Sequence, residues 1–421
     1  MSWLGTLQGW TRRKTKFVAG TSAGFQTNYQ LKITIHKGSG LDGPTDAFLG
    51  GNCLDNFGDI RFTDSDGTTL INYWIESISG TGDAAIANIW INIPNIPASP
   101  AGKNIYIYYN NPVATTTSNG ANTFFLYDDF NYTNSNADTA LWTPRYEYGS
   151  SAGSANIGVT EAGKLRVYQG WPGGSTWYSV QGDGTQLPSS FSAEIDWNLV
   201  GSLGSSGISF EVRDTTRLTG GTGFVEIARA HAAGGESIIT GNQIWSRLDN
   251  SNIYAISTSV TSGKFRLRKL GSTIYCDYNI GAGWVNLSSY SIPYNTYIGV
   301  TAKSWGGSTA DGRWDDLLIR RYASPEPSFG SSGNEELNIT ATDMALGTYS
   351  CLGTCTVNAF VTWYNYGNSN IINFTPTILI DGTTQAYGAQ ITIPSLGSAS
   401  SGAITTPTLL TGNHSICPVP N

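Results

Sequence analysis

Residues 89–109 read IWINIPNIPASPAGKNIYIYY. Apolar and polar residues alternate in Ile89–Ile93 and in Ile105–Tyr109, and a turn rich in Pro and Gly separates the two runs. Alternation with a period of two gives a strand one apolar face, so each run predicts a half-buried β-strand. Similar short runs, separated by clusters of Gly, Pro, Asp and Ser, recur along the whole chain. The sequence therefore predicts an all-β protein.

The composition supports this prediction and excludes several classes of function. Only 13% of the 421 residues are charged, whereas Gly (51), Tyr (22) and Trp (13) are abundant. This profile argues against helix bundles and nucleotide-binding α/β folds. A net charge of -7 disfavours nucleic acid as a partner, and three His leave little material for His-based chemistry. No run of 18 apolar residues exists, so we expect no membrane insertion. No secretory signal is recognisable, yet the composition is typical of extracellular proteins. We therefore expect either an extracellular protein whose signal has been removed or a virion-surface protein, which needs no signal.

The charge distribution divides the chain. Residues 322–421 contain no Lys or Arg, whereas the preceding residues carry both signs of charge. We predict three consecutive β-sandwich domains at residues 1–122, 123–330 and 331–421, with Ser331–Glu336 as a short linker at the start of the third.

The first domain contains a series of motifs in order: Trp10-x-x-Arg13, Asn28-Tyr29-Gln30, Asp59–Thr68, Tyr73-Trp74-Ile75-Glu76, Ile89–Pro94 and Ile105–Pro112. With these motifs the segment resembles the domain-of-unknown-function 2341 family over nearly its whole length. The resemblance implies a small β-sandwich of the kind found in surface proteins of prokaryotes and their viruses. It implies no activity.

The middle domain contains Phe265-Arg266-Leu267-Arg268-Lys269-x-Gly271-x-x-Ile274-x-Cys276-x-Tyr278 and closes with Trp314-Asp315-Asp316 and Arg320–Pro327. These motifs resemble the concanavalin A-like lectin/glucanase superfamily, which implies a jelly-roll sandwich. The fold serves many functions, so the resemblance alone names no ligand. In some glucanases of the superfamily, one strand carries three carboxylates. Here Glu194-Ile195-Asp196-Trp197-Asn198-Leu199 lacks the third, which would be the proton donor, so we predict no enzymatic activity.

Aspartate pairs in the middle domain suggest a metal. The first and last strands of a jelly roll are commonly neighbours, which would bring together Asp128, Asp129, Asp315 and Asp316, with Asp311 on the preceding loop. Carboxylates without counter-charges repel one another unless a cation lies between them, and Ca²⁺ prefers oxygen ligands. The sequence therefore predicts a structural calcium site. The alternative is that these acids face solvent and cap turns.

Aromatic residues beside Gly or in loops are the candidates for sugar binding, because aromatic rings stack on the apolar faces of pyranoses. The candidates are Trp171, Trp177, Tyr178, Trp245 and Trp305. In contrast, Trp142, Trp284 and Trp314 lie in or beside strand patterns and are predicted to belong to the core.

The third domain resembles a CARDB-type immunoglobulin-like module through Phe360–Asn368 and Phe374–Gly382. Three of the five cysteines lie there. We predict one disulfide, between Cys417 and either Cys351 or Cys355, and free thiols at Cys53 and Cys276.

The leading hypothesis is a non-enzymatic structural or adhesion protein, as a virion appendage or receptor-binding component whose lectin-like middle domain binds glycan. Its partners would be a glycan or cell-surface receptor and other structural subunits, in a homo-oligomer. The alternative is a cell-surface or filament subunit whose sandwiches serve assembly only. The third hypothesis is a glucanase-like enzyme.

Overall fold

The structure is a computed structural model, and it is almost entirely β. It describes residues 7, 9–131, 142–148, 155–160, 163–169, 176–182, 186–200, 206–214, 223–231, 241–249, 251–293, 296–304, 309–337, 339–344, 349–351, 358–359, 361–365, 371–380, 384–393, 397–400, 404–405, 412–414 and 416–419. The predicted all-β class with sandwich-like domains is confirmed. In these ranges no helix is both long and apolar enough to cross a bilayer.

The N-terminal domain begins with eight strands, β1 to β8: Arg12–Ala19, Gln26–His36, Asp46–Phe48, Arg61–Thr63, Leu70–Ile71, Tyr73–Ser79, Ile86–Ile96 and Gly102–Tyr109. One sheet has the order β3-β2-β7-β6, and a second contains β1-β8-β4-β5. The alternation seen in the sequence is realised, because Ile89, Ile91 and Ile93 are buried on β7. On β8, Ile105 and Ile107 are buried in the same way.

The second sheet is completed by a strand from far along the chain. Strand β24 (Ser328–Leu337) pairs antiparallel with β1, so the sheet order is β24-β1-β8-β4-β5. The Arg13 guanidinium binds the Glu336 carboxylate through Nε at 2.8 Å and Nη2 at 2.6 Å, and Arg12 pairs with Glu335. The predicted linker at residues 331–336 is therefore wrong. These residues form an edge strand of the N-terminal domain, which receives the chain back after the middle domain.

In the sequence, the middle domain is inserted between β8 and β24, and residues 120–326 form a compact unit of their own. After a short helix, α1 (Gly120–Thr123), strands β9 to β16 are Leu126–Asp128, Trp142–Tyr148, Ala155–Thr160, Lys164–Gln169, Thr176–Gly182, Phe191–Leu199, Ser206–Arg213 and Phe224–His231. Strands β17 to β23 are Gln243–Leu248, Ser251–Ser257, Ser262–Leu270, Thr273–Asn279, Val285–Ser291, Tyr297–Ser304 and Ala310–Arg321.

Two sheets share the core of this domain. In the described residues, the seven-stranded sheet has the order β10-β13-β22-β15-β16-β17-β18. The eight-stranded sheet has the order β11-β12-β23-β14-β19-β20-β21, with β9 also paired to β23. The buried core includes Trp142, Trp197 and Trp314, and the Trp197 ring stacks on Phe265 with centroids 5.0 Å apart. The core placement predicted for Trp142 and Trp314 is confirmed. Cys276 lies in this core, and burial raises the pKa of its thiol.

The C-terminal domain follows β24 as twelve short strands, β25 to β36: Ile339–Met344, Tyr349–Cys351, Asn358–Ala359, Val361–Asn365, Ile371–Phe374, Thr377–Ile380, Thr384–Tyr387, Ile391–Ile393, Gly397–Ser400, Ile404–Thr405, Gly412–His414 and Ile416–Val419. Trp363 and Phe374 meet edge to face in its core, with ring centroids 5.1 Å apart. Small sheets such as β25-β28-β33 and β31-β30-β36 surround this pair.

A substitution in β24 tests its place in the N-terminal sheet. Phe329 is buried opposite Val18 of β1, so Phe329→Ala removes apolar packing worth about 3 kcal/mol. We expect faster hydrogen exchange at the β1 amides, measured by mass spectrometry. Ser331→Ala, at an exposed position of the same strand, is the control and leaves exchange unchanged. Equal exchange in both variants would mean that β24 is a linker after all.

Candidate functional site

Of the aromatic candidates for sugar binding, only Trp245 has a side chain among those that the structure describes. Trp171 and Trp305 lie outside the described residues, and so do the side chains of Trp177 and Tyr178, whose backbones belong to β13. Trp245 was predicted in a loop, and this is wrong. It lies in the middle of β17, which pairs with β16 and β18, and its ring is 1% exposed because it packs against Ala228, Ala230 and Ile253.

Trp284 was predicted to belong to the core, and this is wrong as well. It lies partly exposed in the turn between β20 and β21. Gly281 and Gly283 adopt positive φ in this turn, and both donate backbone N–H bonds to Asn279 Oδ1, at 2.9 and 3.2 Å. The Arg266 guanidinium lies over the indole, 4.1 Å from the ring centroid. Stacking on Arg266 holds the ring at the surface.

A network of buried ion pairs, here called the closed network, lies on the face of the seven-stranded sheet that points away from the shared core. Glu226 on β16 accepts from Arg247 Nε at 2.6 Å and Lys303 Nζ at 2.5 Å, and all three are almost fully buried. Glu211 on β15, directly opposite Glu226 in the register, binds Arg213 through both carboxylate oxygens. The sequence analysis missed this network. The available signal was a Glu between apolar residues in each of two neighbouring strands.

The electrostatics of Glu226 suit a structural ion pair. Burial alone would raise the pKa of its carboxyl, but Lys303 and Arg247 outweigh burial and hold the pKa below its ordinary value. A general acid needs the reverse, a carboxyl that keeps its proton near neutral pH. Glu226 is therefore a fixed negative charge rather than a proton donor.

The five aspartates predicted to bind calcium occupy three separate places. Asp128 is buried and accepts from Trp142 Nε1 at 2.7 Å and from the Phe130 backbone N–H at 2.8 Å. Asp311 lies on β23, not on a loop, and both of its oxygens are bound by Arg166. Asp315 lies four positions further along the strand, about 13 Å away, which is too far for one shared ion. The predicted five-residue set is wrong in this respect.

The remaining aspartates gather at a bulge in β23. One edge of β23 pairs with β14, and the other pairs first with β12 and then with β9. Between these two partners, Asp316 adopts φ +47° and forms a β-bulge opposite β14. The expected neighbourhood of the first and last strands is present, because Asp128 pairs with Leu317.

Carboxylates crowd Asp316. Burial, followed by the charges of Asp315, Asp196 and Asp129, raises the pKa of Asp316 to about 6. Among the described residues, no group of three or more His, Cys, Asp or Glu side chains is arranged to hold a metal ion. The calcium ion stays a prediction.

An open cleft lies beside this bulge on the outer face of the eight-stranded sheet. Its volume is about 490 Å³, and its polar lining includes Lys164, Asp196, Asn198, Lys264, Asn279 and Asp315. Asp196 Oδ1 pairs with Lys264 Nζ at 2.5 Å, and Asp315 Oδ2 pairs with Lys164 Nζ at 3.4 Å. Both lysine side chains remain about 40% exposed. In contrast to the network on the other sheet, these groups are accessible to a ligand.

Glu194 and Asp196, the two acids of the glucanase-like strand, lie on this same outer face. Glu194 is near Arg266, with Oε1 3.9 Å from Nη1. Asn198 follows Asp196 on the same face, so no third carboxylate from β14 reaches the cleft. That the protein is not an enzyme stays a prediction.

The predicted disulfide lies outside what the structure describes. The backbones of Cys351 and Cys417 belong to β26 and β36, which pair with β35 and β30, whereas Cys355 is outside the described residues. The disulfide therefore stays a prediction. Cys53 and Cys276 are free, as predicted, and both are buried.

Comparisons with known proteins agree with part of the sequence analysis. A model of the family described as a domain of unknown function (DUF2341) matches residues 56–145, so the predicted resemblance is confirmed there. No curated protein matches the chain.

Similar solved structures include a β-1,3-glucanase from Mycobacterium marinum, at 11% identity and TM-score 0.35, covering 47% of this chain and 98% of that one. They also include a legume lectin-like domain from Entamoeba histolytica, at 12% and 0.32, with 44% and 91% covered. A family 16 endo-glucanase from Bacteroides ovatus aligns at 12% and 0.32, with 46% and 99% covered.

Removing the charge of Glu226 tests whether the closed network is structural. Glu226→Gln leaves Lys303 and Arg247 buried without their countercharge, so we expect unfolding free energy to fall by about 3–5 kcal/mol in urea denaturation. Glu194→Gln, which removes a longer ion pair, is the control and costs less than about 1 kcal/mol. A Glu226→Gln variant more stable than the parent would indicate a strained, functional carboxylate instead.

A second substitution tests the crowding at the bulge. A carboxyl with a raised pKa binds its proton more tightly in the folded state, so its contribution to stability falls as pH rises through the window from about 4 to 6. Asn tolerates positive φ, so Asp316→Asn should raise stability by about 1–2 kcal/mol at pH 7 without added metal. Melting temperatures measured from pH 4 to 7 should converge at the acid end, where Asp316 is protonated.

The same titration tests the calcium prediction. If calcium binds at the bulge, millimolar Ca²⁺ should stabilise the parent protein at pH 7 and have less effect on Asp316→Asn, which offers one carboxylate fewer. Equal melting temperatures of the parent protein with calcium and with chelator would contradict the prediction of a calcium site.

Proposed function

We propose that this protein is a non-enzymatic, surface-exposed adhesion protein whose middle domain binds a neutral glycan. The open cleft on the eight-stranded sheet is the observation that carries the proposal. Carboxylates accept hydrogen bonds, ammonium groups donate them, and the Asn198 and Asn279 amides do both. Sugar hydroxyls match such a lining, because each hydroxyl donates and accepts.

The charge balance of the cleft favours a neutral ligand. Asp196 and Asp315 are each paired with a lysine, and the guanidinium of Arg313 is bound by Asp311. A charged ligand would have to displace one of these partners, whereas a hydroxyl group adds a hydrogen bond without breaking the pair. A volume of about 490 Å³ lies within the range of small-molecule sites.

The proposal also includes where the protein is located and how it assembles. A glycan-binding sandwich carried by further β domains suits a virion appendage or receptor-binding component that acts as a homo-oligomer. The alternative, a filament or cell-surface subunit, would use the same domains for assembly alone. Electron microscopy of the purified chain separates them, because polymers are expected only from the second.

The raised pKa of Asp316 favours a second candidate function. The pKa of Asp316 is raised to about 6, and the charge of Asp196, which lines the cleft, is one of the causes; glycoside hydrolysis uses a carboxyl of raised pKa together with a second carboxylate. In this candidate Asp316 is the acid. The loss of the glucanase-like third carboxylate does not argue against it, because Asp316 comes from another strand.

One pair of measurements tests the first candidate against the second. On an array of neutral glycans, the full chain should bind saturably, and Asn198→Ala should weaken binding about fivefold through lost hydrogen bonds. Trp177→Ala should leave binding unchanged if the cleft, rather than the aromatic candidates on β13, holds the sugar. Release of reducing sugar from the bound glycan, if it is abolished by Asp316→Asn, would contradict the adhesion proposal and support glycoside hydrolysis.

A further inference from the structure

One sheet face of the N-terminal domain carries two tryptophans where polar residues are the rule. In the β3-β2-β7-β6 sheet, Ile89 and Ile91 of β7 are buried in the core, so Trp90 between them lies on the opposite, outer face. Trp74 on β6 lies directly opposite Trp90 in the register. Outward positions of a half-buried antiparallel sheet are ordinarily polar. The two indoles therefore form a cross-strand pair outside the core of this sheet.

Polar side chains surround the pair on three strands, and together with the two indoles they are here called the indole block. The polar members are Gln30, Lys32, Thr34, Ser77, Asn88 and Asn92. On one side of the indoles, Thr34 Oγ1 donates to Asn88 Oδ1 at 3.1 Å, and Asn88 Nδ2 donates to Ser77 Oγ at 3.0 Å. On the other side, Gln30 Nε2 donates to Asn92 Oδ1 at 3.2 Å. These bonds fix the amides, and each amide can bind more than one partner.

An ion pair crosses the middle of the indole block. Lys32 on β2 and Glu76 on β6 flank β7, and their side chains pair across it. The Lys32 ammonium lies 5.6 Å from the centroid of the Trp90 ring. Trp90 is 8% exposed, whereas Trp74 is partly exposed. Trp90 therefore supports its neighbour from the central strand, and Trp74 is the ring that a ligand can reach.

We propose that the indole block binds a neutral sugar, independently of the cleft in the middle domain. The Trp74 ring stacks on the apolar face of a pyranose, because such a face matches an indole in shape and polarity. The Lys32 ammonium, the Glu76 carboxylate and the Asn88 amide bond the sugar hydroxyls. Lys32 and Glu76 neutralise each other, so the block favours a ligand without net charge.

The size of the indole block favours a sugar over a protein partner. Three neighbouring strands span about 10 Å, and five residues along β7 span about 14 Å, which gives about 140 Å². A stable protein complex buries about 800 Å² on each partner. β6 is the edge strand of its sheet, so the face does not continue on that side. A mono- or disaccharide fits a surface of this size.

Oxidative footprinting of the full chain tests the site directly. Hydroxyl radicals oxidise exposed aromatic rings, and mass spectrometry of the peptides locates the product. Millimolar cellobiose, lactose or chitobiose should remove most of the oxidation at Trp74, because a stacked sugar covers the ring. Phe25, which is 62% exposed in a turn of the same domain, is the control and should be oxidised equally with and without sugar. Equal oxidation of Trp74 with and without every sugar would overturn the site.

Substitutions test the same site by affinity. On an array of neutral glycans, Trp74→Ala should weaken binding about tenfold through loss of the stacked ring. Trp74→Phe keeps an aromatic face and should weaken binding less, and Phe25→Ala is the matched control that should change nothing. Melting temperatures identify a variant that fails to fold, and the footprint of the parent chain depends on no variant. Unchanged binding by a folded Trp74→Ala variant would contradict the proposal.

The cleft variant separates this site from the proposed function. Asn198→Ala alters only the cleft, so sugar should still protect Trp74 from oxidation in that variant. If protection of Trp74 is lost in Asn198→Ala, the indole block is not an independent site and the inference fails. If Trp74 is protected but Asn198→Ala binds glycan as the parent does, the inference stands and the cleft is not the glycan site.

Discussion

Strand β23 is the element on which the middle domain depends. It pairs with β14 along one edge and with β12 and β9 along the other, so it joins the start of the domain to its end. Trp314 in its centre is fully buried between the sheets. The change of partner from β12 to β9 requires an irregularity, which the bulge at Asp316 supplies. The same bulge places two aspartates next to Asp196. The crowding of negative charge beside the cleft therefore follows from the way in which β23 changes its pairing partner.

The ion pairs on the outer faces of the two sheets differ in their exposure to water. On the seven-stranded sheet, every carboxylate of the described network is bound by Lys or Arg and shielded from water. On the eight-stranded sheet, the ion pairs stay partly exposed. Buried pairs cost desolvation and fix one geometry, whereas exposed pairs can exchange a water molecule for a ligand at little cost. This contrast, rather than the number of charged residues, distinguishes a structural face from a binding face.

Most of the strands could be predicted from the sequence, because a half-buried strand has to alternate. The side chains that matter for the cleft could not be predicted in the same way. Trp245 and Trp284 both stand near Gly, yet one is in a doubly paired strand and the other in an open turn, and only long-range pairing decides which. Asp128 resembles its neighbour Asp129 in sequence, but a hydrogen bond from the indole N–H of Trp142, 14 residues further along the chain, makes Asp128 structural. β24 has the composition of a linker, and its strand identity comes from the basic residues of β1.

The return of β24 to β1 also determines how mechanical tension passes through the chain. Arg12 pairs with Leu337, so the start of β1 and the end of β24 lie at the same end of the antiparallel pair. A pull between the N-terminal segment and the C-terminal domain peels these strands apart from that end. The first bonds to resist are the ion pairs Arg12–Glu335 and Arg13–Glu336. Until they yield, the middle domain carries no load, because both of its ends are attached inside the same N-terminal fold.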